Sequence, residues 1–382
     1  MSMKKILIVH NFYLNKGGED VNIIEELEFL NDYFEVSFFY LNNSRRINIF
    51  DIFAFFCNSN FISNKKFNDK LNEFQPDLVY VHNTWYKINL GIFNILKKKS
   101  IKTALKIHNF RYECSLHMFA KKHLKEFDVC NQCGFKSKRL QLFNKYFKNS
   151  YLKSFLIYIY SRKYFKILKN NPISIIALNE FHRKKLIDYG IDNSKINVIC
   201  NPINFQNFKI SKEKENIVVY AGRISEEKGV DEIIKSWENT SLKNFKLLII
   251  GDGEDKKALE NKNKREDIVF LGALDIDIVL DYISRAKAVV TATKLFEGQP
   301  RLLCEASSLG TLSIYPSFGG MDEFFPENYE FSFEQFNYSD LVTKLNKLND
   351  LKKINFNQYD VRKNIQKKLS KDKIFEQFND LI

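Results

Sequence analysis

At 382 residues the chain is too long for one ordinary core and fits two domains, and its 45% apolar and 27% charged residues exclude a disordered or fibrous protein. The net charge of +13 is unevenly placed: residues 1–200 carry 32 Lys+Arg against 17 Asp+Glu, and residues 201–382 carry 27 against 29. The basic excess of the first half favours an anionic partner, whether phosphorylated substrate, anionic lipid or nucleic acid, or else is simply a solvated Lys-rich surface.

The opening "MSMKKILIVH" has an apolar run too short for a signal-peptide core and reads as a first buried strand. Further strand-like runs follow at 34–41 (FEVSFFYL), 77–83 (DLVYVHN) and 101–109 (IKTALKIHN), with helical spacing between, as in 19–33. The second half repeats the pattern with strands at 216–223, 245–253, 267–272, 286–293 and 310–316, and helices at 228–239 and 275–286. Strands apolar on both faces, alternating with amphipathic helices, imply helix-covered parallel sheets. The expected fold is α/β, two doubly wound Rossmann-like domains facing across a cleft. A polar, Pro-containing stretch at 198–216 breaks the pattern. The domains are therefore placed at 1–203 and 204–365, with a C-terminal helix over 366–382 that can pack back on the first domain. No window reaches the roughly 18 uncharged apolar residues of a membrane-spanning helix. A cytoplasmic protein with six reduced cysteines is expected.

In open α/β sheets ligands bind beyond the carboxyl ends of strands, and the residues that stand out fall there. "VVYAGRISEEKG" ends a strand with Gly222 and Arg223, with Lys228 five residues on, two cations able to clamp a diphosphate. "LLIIGDGED" follows with Gly251 and Gly253, which either let a ligand approach the backbone or make a plain tight turn. "KLFEGQPRLLCEA" carries Glu297 in a loop and Glu305 in a helix whose natural first residue is Pro300. If that segment were wholly helical, the two would lie about 12 Å apart. Such spacing suits two parts of one extended ligand better than the paired carboxylates of a hydrolase. Gly319 and Gly320 then lead a third helix start whose amides can meet phosphate.

Glu297 and Glu305 match the E-x7-E motif of the retaining glycosyltransferases of family 4, which have the GT-B fold. The resemblance continues in order along nearly the whole chain. "AGRISEEKG", "IIGDG" and "GGMDE" resemble three further family segments, and "IALNEFHRKKLIDYGIDNSKINVICNPIN" (176–204) resembles the interdomain stretch. The resemblance implies that Arg223 and Lys228 hold the diphosphate of a UDP- or GDP-sugar, that Glu305 takes the ribose hydroxyls, and that Glu297 touches the transferred sugar. It also implies that Gly17 and Gly18, in "HNFYLNKGGED", lie near the phosphates. His108 would stand at the active site, with His82 a second candidate one strand away. The departing phosphate would take the acceptor's proton, with no metal and no further cofactor. The loop "EGQP", where many members carry "EGFG", departs from the family around the donor sugar.

"DID" at 275–277 is compatible with a D-x-D metal site, but Asp275 or Asp277 reads more simply as an N-cap or first-turn acid. Cys114, His117, Cys130 and Cys133 have zinc-compatible spacing, against the simpler reading of buried thiols. The segment 148–171 mixes aromatic residues with Lys148, Lys153, Arg162, Lys163, Lys166 and Lys169, suiting either contact with an anionic membrane at the inner face of the cell or core packing. A glycan or polyprenyl-linked acceptor is the expected partner, and no nucleic-acid module is visible. The competing readings are an epimerase or phosphorylase of the same fold, and a non-catalytic sugar-nucleotide- or lipid-binding subunit.

Overall fold

The computed structural model describes residues 3–13, 18–43, 49–57, 59–109, 151–204, 210–211, 213–353 and 358–382. The chain divides into two compact units, Met1–Pro202 with Lys371–Ile382, and Ile203–Ser370.

The first unit runs β1 (Lys5–Phe12), α1 (Gly18–Asn31), β2 (Glu35–Asn42), α2 (Ile49–Cys57), α3 (Phe61–Phe74), β3 (Leu78–Val81), α4 (Gly91–Lys98), β4 (Thr103–Lys106), α5 (Tyr151–Asn170), β5 (Ser174–Ala177), α6 (Glu180–Asp188) and β6 (Ile196–Val198). Its six strands lie in the order β2-β1-β3-β4-β5-β6, and the pairs are parallel. The order reverses between β1 and β3, so the loops after these strands flank a crevice.

The second unit runs β7 (Glu215–Ala221), α7 (Val230–Glu238), β8 (Lys246–Ile250), α8 (Lys256–Lys262), β9 (Ile268–Gly272), α9 (Ile276–Arg285), β10 (Ala286–Val290), α10 (Arg301–Ser308), β11 (Leu312–Ser317), β12 (Ser332–Glu334), α11 (Tyr338–Asn346) and α12 (Gln358–Lys368). Its sheet is also parallel, in the order β12-β11-β10-β7-β8-β9. Counted from its own first strand this is the dinucleotide-binding order, with the reversal between β7 and β10.

The central strands are buried on both faces, which is why they read as unbroken apolar runs: every residue of β3 and β4 is buried, including Lys106. At the chain's end the structure departs from a single helix over 366–382. Two helices stand there, α12 and α13 (Lys371–Asn379), parted at Leu369 and Ser370. Ser is a favoured residue just before a helix start. The two helices also serve different cores. Val361 and Ile365 are buried and α12 packs on α10, so the second unit runs on to Ser370. Ile374, Phe378 and Leu381 join Ile6, Ile8, Leu78 and Tyr80 in the core of the first unit, with Tyr33 stacked on Phe375 at 4.3 Å.

Candidate functional site

The reversal point of the second unit gathers the loops after β7 and β10. The backbone N–H of Lys294 donates to the Glu227 carbonyl at 2.8 Å, which joins the two loops directly. Across that junction the Lys228 ammonium meets Glu297 Oε1 at 2.7 Å, and the Thr293 hydroxyl donates to the same oxygen at 3.2 Å. Both members of the Lys228–Glu297 pair keep roughly a quarter of their side-chain surface in solvent. Arg223 leaves the end of β7 with 63% of its side chain exposed and is paired with Glu227. Beneath it the Tyr220 hydroxyl donates to the Arg223 carbonyl at 2.7 Å. Burial, and then the nearby Glu297 charge, holds the Tyr220 phenol far above its ordinary pKa, so it remains a donor.

Glu305 is nearly buried in α10, and Arg301 Nε donates to its Oε1 at 2.7 Å. The helix begins at Arg301, one position after Pro300, which occupies the cap position instead of the first turn. Sequence reading missed Arg301, although its spacing four residues before Glu305 was the signal. A cation in the first turn opposes the helix dipole. Glu305 offsets that cost, and a bound anion would offset it further.

The predicted glycines prove to be places of close backbone approach. A Cβ on Gly251, at φ +136°, would stand 1.9 Å from the Gly222 carbonyl oxygen, and one on Gly253 would stand 2.0 Å from that of Ile224. What these two positions make room for is the neighbouring strand's loop. Gly319, at φ +65°, does the same for the loop bearing Glu297, since its Cβ would lie 2.8 Å from Phe296 Cα. Gly320 caps the 3₁₀ turn Met321–Phe324. Asp275 occupies the N-cap of α9 without a side-chain bond to its amides, and Asp277 sits in the first turn.

The first unit holds charge differently. Glu26, projecting from α1 under the sheet, accepts from Lys106 Nζ at 2.8 Å and from the Tyr80 hydroxyl at 2.7 Å, all three buried. His82 Nδ1 lies 3.9 Å from the other Glu26 oxygen and 2.9 Å from His108 Nε2, with the two rings stacked. Burial, followed by the neighbouring His108 and Lys106, holds the His82 imidazole well below its ordinary pKa. Burial and then Lys106 do the same for His108. Two neutral rings can share only one proton along their contact, and the far nitrogens of the pair, His82 Nε2 and His108 Nδ1, are buried with no hydrogen-bond partner among the described residues. A small pocket opens beside the pair, lined by Glu19, Asn83, Trp85, Asn109, Tyr160 and Tyr164 among others. His10, at the end of β1, is locked to Asp20 of α1 at 2.8 Å. Gly18 is the first residue of α1. Gly17 lies outside the described residues, as do Cys114, His117, Cys130, Cys133 and Lys148. On α5, Leu156, Tyr160 and Leu168 are buried while Arg162, Lys166 and Lys169 face solvent, so one face serves the core and another the surface. Among the described residues no group of three or more His, Cys, Asp or Glu is placed to hold a metal ion. No helix of theirs is long and apolar enough to cross a membrane.

Two doubly wound units in one chain, the second with a cation- and carboxylate-lined reversal point, define an α/β protein of the GT-B class. Residues 203–368, nearly the whole of the second unit, match the model of the family described as glycosyl transferases group 1. Among curated relatives, the amylovoran biosynthesis glycosyltransferase AmsD of Erwinia amylovora is 27% identical over 37% of this chain and 42% of its own length. The capsular polysaccharide biosynthesis glycosyltransferase CapM of Staphylococcus aureus is 26% identical over 60% of this chain and 65% of its own. The chain thus spans less than two thirds of the length of either relative. Likeness of fold extends further. The structure of Anabaena Alr3699/HepE with UDP and glucose superposes with a TM-score of 0.71 at 14% identity, over 99% of this chain and 98% of that one. The lipopolysaccharide outer core galactosyltransferase WaaB gives 0.61 at 16%, over the same shares.

Proposed function

We propose that the chain is a retaining glycosyltransferase, moving a sugar from a nucleotide-sugar to an acceptor hydroxyl in surface polysaccharide or lipid-linked glycan synthesis. The observation that carries this reading is the convergence of Arg223, Lys228 and Glu297 at the β7/β10 reversal point, joined through Lys294 to Glu227. Arg223 and Lys228 take the diphosphate, for which the exposed guanidinium and the partly solvated ammonium are available charges. The start of α10 and Arg301 add to the same anionic preference. Glu305 receives the ribose hydroxyls and Glu297 the transferred sugar, stabilising positive charge as it develops at the anomeric carbon. The glycines 18, 251, 253, 319 and 320 shape the loops that meet the donor. His108 is kept neutral beside its pocket and offers Nδ1 to a substrate hydroxyl. The leaving diphosphate accepts the acceptor's proton, so the chemistry needs no metal and no protein base.

The relatives name polysaccharide products. A further one, 28% identical over 36% of this chain, is a Campylobacter jejuni enzyme whose name specifies an undecaprenol diphosphate-linked glycan and an alpha-1,4-N-acetyl-D-galactosaminyl transfer. A glycan or polyprenyl-linked acceptor, met in the cytoplasm at the inner face of the membrane, accords with those names and with the basic first half of the chain. The test is thermal unfolding against a panel of UDP- and GDP-sugars, followed by product analysis with a lipid-linked acceptor. A donor present at about a hundred times its Kd stabilises the native state by about 2.7 kcal/mol and raises the midpoint. No shift with any nucleotide-sugar overturns the reading. Turnover without an acceptor would make the chain an epimerase or phosphorylase instead.

A further inference from the structure

Helix α2 is anomalous on physical grounds. At 100° per residue, Phe50, Phe53, Phe56 and Cys57 fall within an arc of about 120°. Phe50 is 78% exposed, Phe53 68% and Phe56 45%, and Cys57 is also exposed, so this arc carries three aromatic rings and no charge into solvent. The next helix begins with Phe61 and Ile62, exposed by 81% and 68%. Scattered apolar residues on a surface need no explanation, whereas a contiguous aromatic face does.

The face is presented by firm backbone anchors. Ala54 is buried behind it, and Asn89 Nδ2 donates to the Ala54 carbonyl at 3.1 Å. Asn60 caps α3 through the Ser63 amide and donates to the Lys87 carbonyl at 3.0 Å. Cations surround it. Lys65 and Lys66 are exposed one turn along α3 from Phe61 and Ile62. Helix α5 packs on α2, where the Lys163 ammonium reaches the Phe56 carbonyl at 3.0 Å, and Arg162 and Lys166 of α5 are exposed.

We infer that α2 and the start of α3 form an interfacial docking face for an anionic bilayer, with Phe50, Phe53, Phe56, Phe61 and Ile62 entering the headgroup boundary. Lys65, Lys66, Arg162, Lys163 and Lys166 meet lipid phosphates around them. Charge complementarity selects this occupant. Apolar side chains ringed by cations gain from burial and from an anionic surface together. A second copy of the chain would bring two strongly basic halves together. This goes beyond the membrane contact included in the proposed function by naming an insertion face on α2, and it does not depend on the transfer reaction.

The test uses the full chain and sucrose-loaded vesicles, with no donor or acceptor present, so its outcome is separate from that of the nucleotide-sugar screen. The chain is expected to sediment with phosphatidylglycerol-rich vesicles, not with pure phosphatidylcholine, and to be released by about 0.5 M salt. The triple variant Phe50→Ser, Phe53→Ser, Phe56→Ser is expected to lose about tenfold or more in partitioning while its unfolding midpoint stays unchanged. Lys65→Glu with Lys66→Glu should weaken binding to the anionic vesicles as well. Undiminished binding of the triple variant, or no binding of the parent chain, overturns the inference. So does a self-associated parent that the triple variant dissociates in light scattering, because a second copy then covers the face. A triple variant whose midpoint drops by several degrees also overturns it, since the chain itself then covers those rings.

Discussion

The reversal points of the two sheets hold charge in opposite ways. In the second unit the carboxylate of Glu297 and the cations of Arg223 and Lys228 keep water contact, and each ion pair is one that a ligand could exchange. In the first, Glu26 of α1 and Lys106 of β4 are sealed between helix and sheet, and two stacked imidazoles are held neutral beside them. Partly solvated pairs contribute little to stability and remain available to an anionic guest. Buried pairs stabilise little beyond an apolar isostere, yet breaking one is costly. The same charges, differently buried, therefore divide the work. Under the proposed function one set recognises the donor, and the other keeps a ring in place.

Substitutions that lift this difference in burial should separate stability from activity. Glu26→Gln leaves the buried Lys106 ammonium without a compensating charge and should destabilise the fold by about 3–5 kcal/mol, read as a lower urea midpoint. An undiminished midpoint would mean that water reaches Glu26. Glu297→Gln in the second unit should move unfolding by less than about 1 kcal/mol. Its transfer rate should nonetheless fall about a hundredfold or more, because the charge facing the developing cation is gone. A variant that transfers at the parent rate removes Glu297 from the chemistry.

The buried histidines carry a pH signature that the second unit lacks. His182, in the first turn of α6, is pushed by burial from 6.5 down to about 3. Its folded pKa lies below the unfolded one, so the unfolded chain binds the extra proton. Stability from this group is whole above pH 6.5 and is lost as pH falls towards 3, at about 1.4 kcal/mol per unit. Denaturant titrations between pH 6 and 4 should show that slope, and His182→Leu should reduce it by one group's share. An unaltered slope would mean that His182 is protonated in the native state.

The parts of the fold that showed in the sequence are those where a strand is long and buried on both faces, such as β1 and β8. The three-residue strands β6 and β12 carry too few side chains for a period to show. The reversal point of the second unit was legible because its residues sit on consecutive strand-end loops, each marked by glycine or charge. Glu26 was not. In sequence it is one of several acids on an amphipathic helix, and only the sheet brings it to Lys106, 80 residues away. The glycines were legible as close approaches but ambiguous as to what approaches. At Gly251 the answer is the carbonyl of Gly222.

The smallest expected effect concerns Asp275 and Asp277, whose D-x-D spacing is the one hint of metal chemistry in the second unit. Asp275 stands at the N-cap of α9 with no side-chain bond to the helix amides, and both residues are exposed. A cap that makes no hydrogen bond forfeits most of the roughly 1 kcal/mol such residues usually contribute. What remains is attraction to the dipole, a few tenths of a kcal/mol. Asp275→Ala should thus shift unfolding by about 0.5 kcal/mol at most. Neither Asp275→Ala nor Asp277→Ala should change the transfer rate more than about twofold, since under the proposed function cations and helix starts meet the diphosphate at the β7/β10 reversal point. A large loss of transfer, restored by millimolar Mg²⁺ or Mn²⁺, would instead make these carboxylates metal ligands. Phosphate charge would then be neutralised from α9 as well as from Arg223 and Lys228.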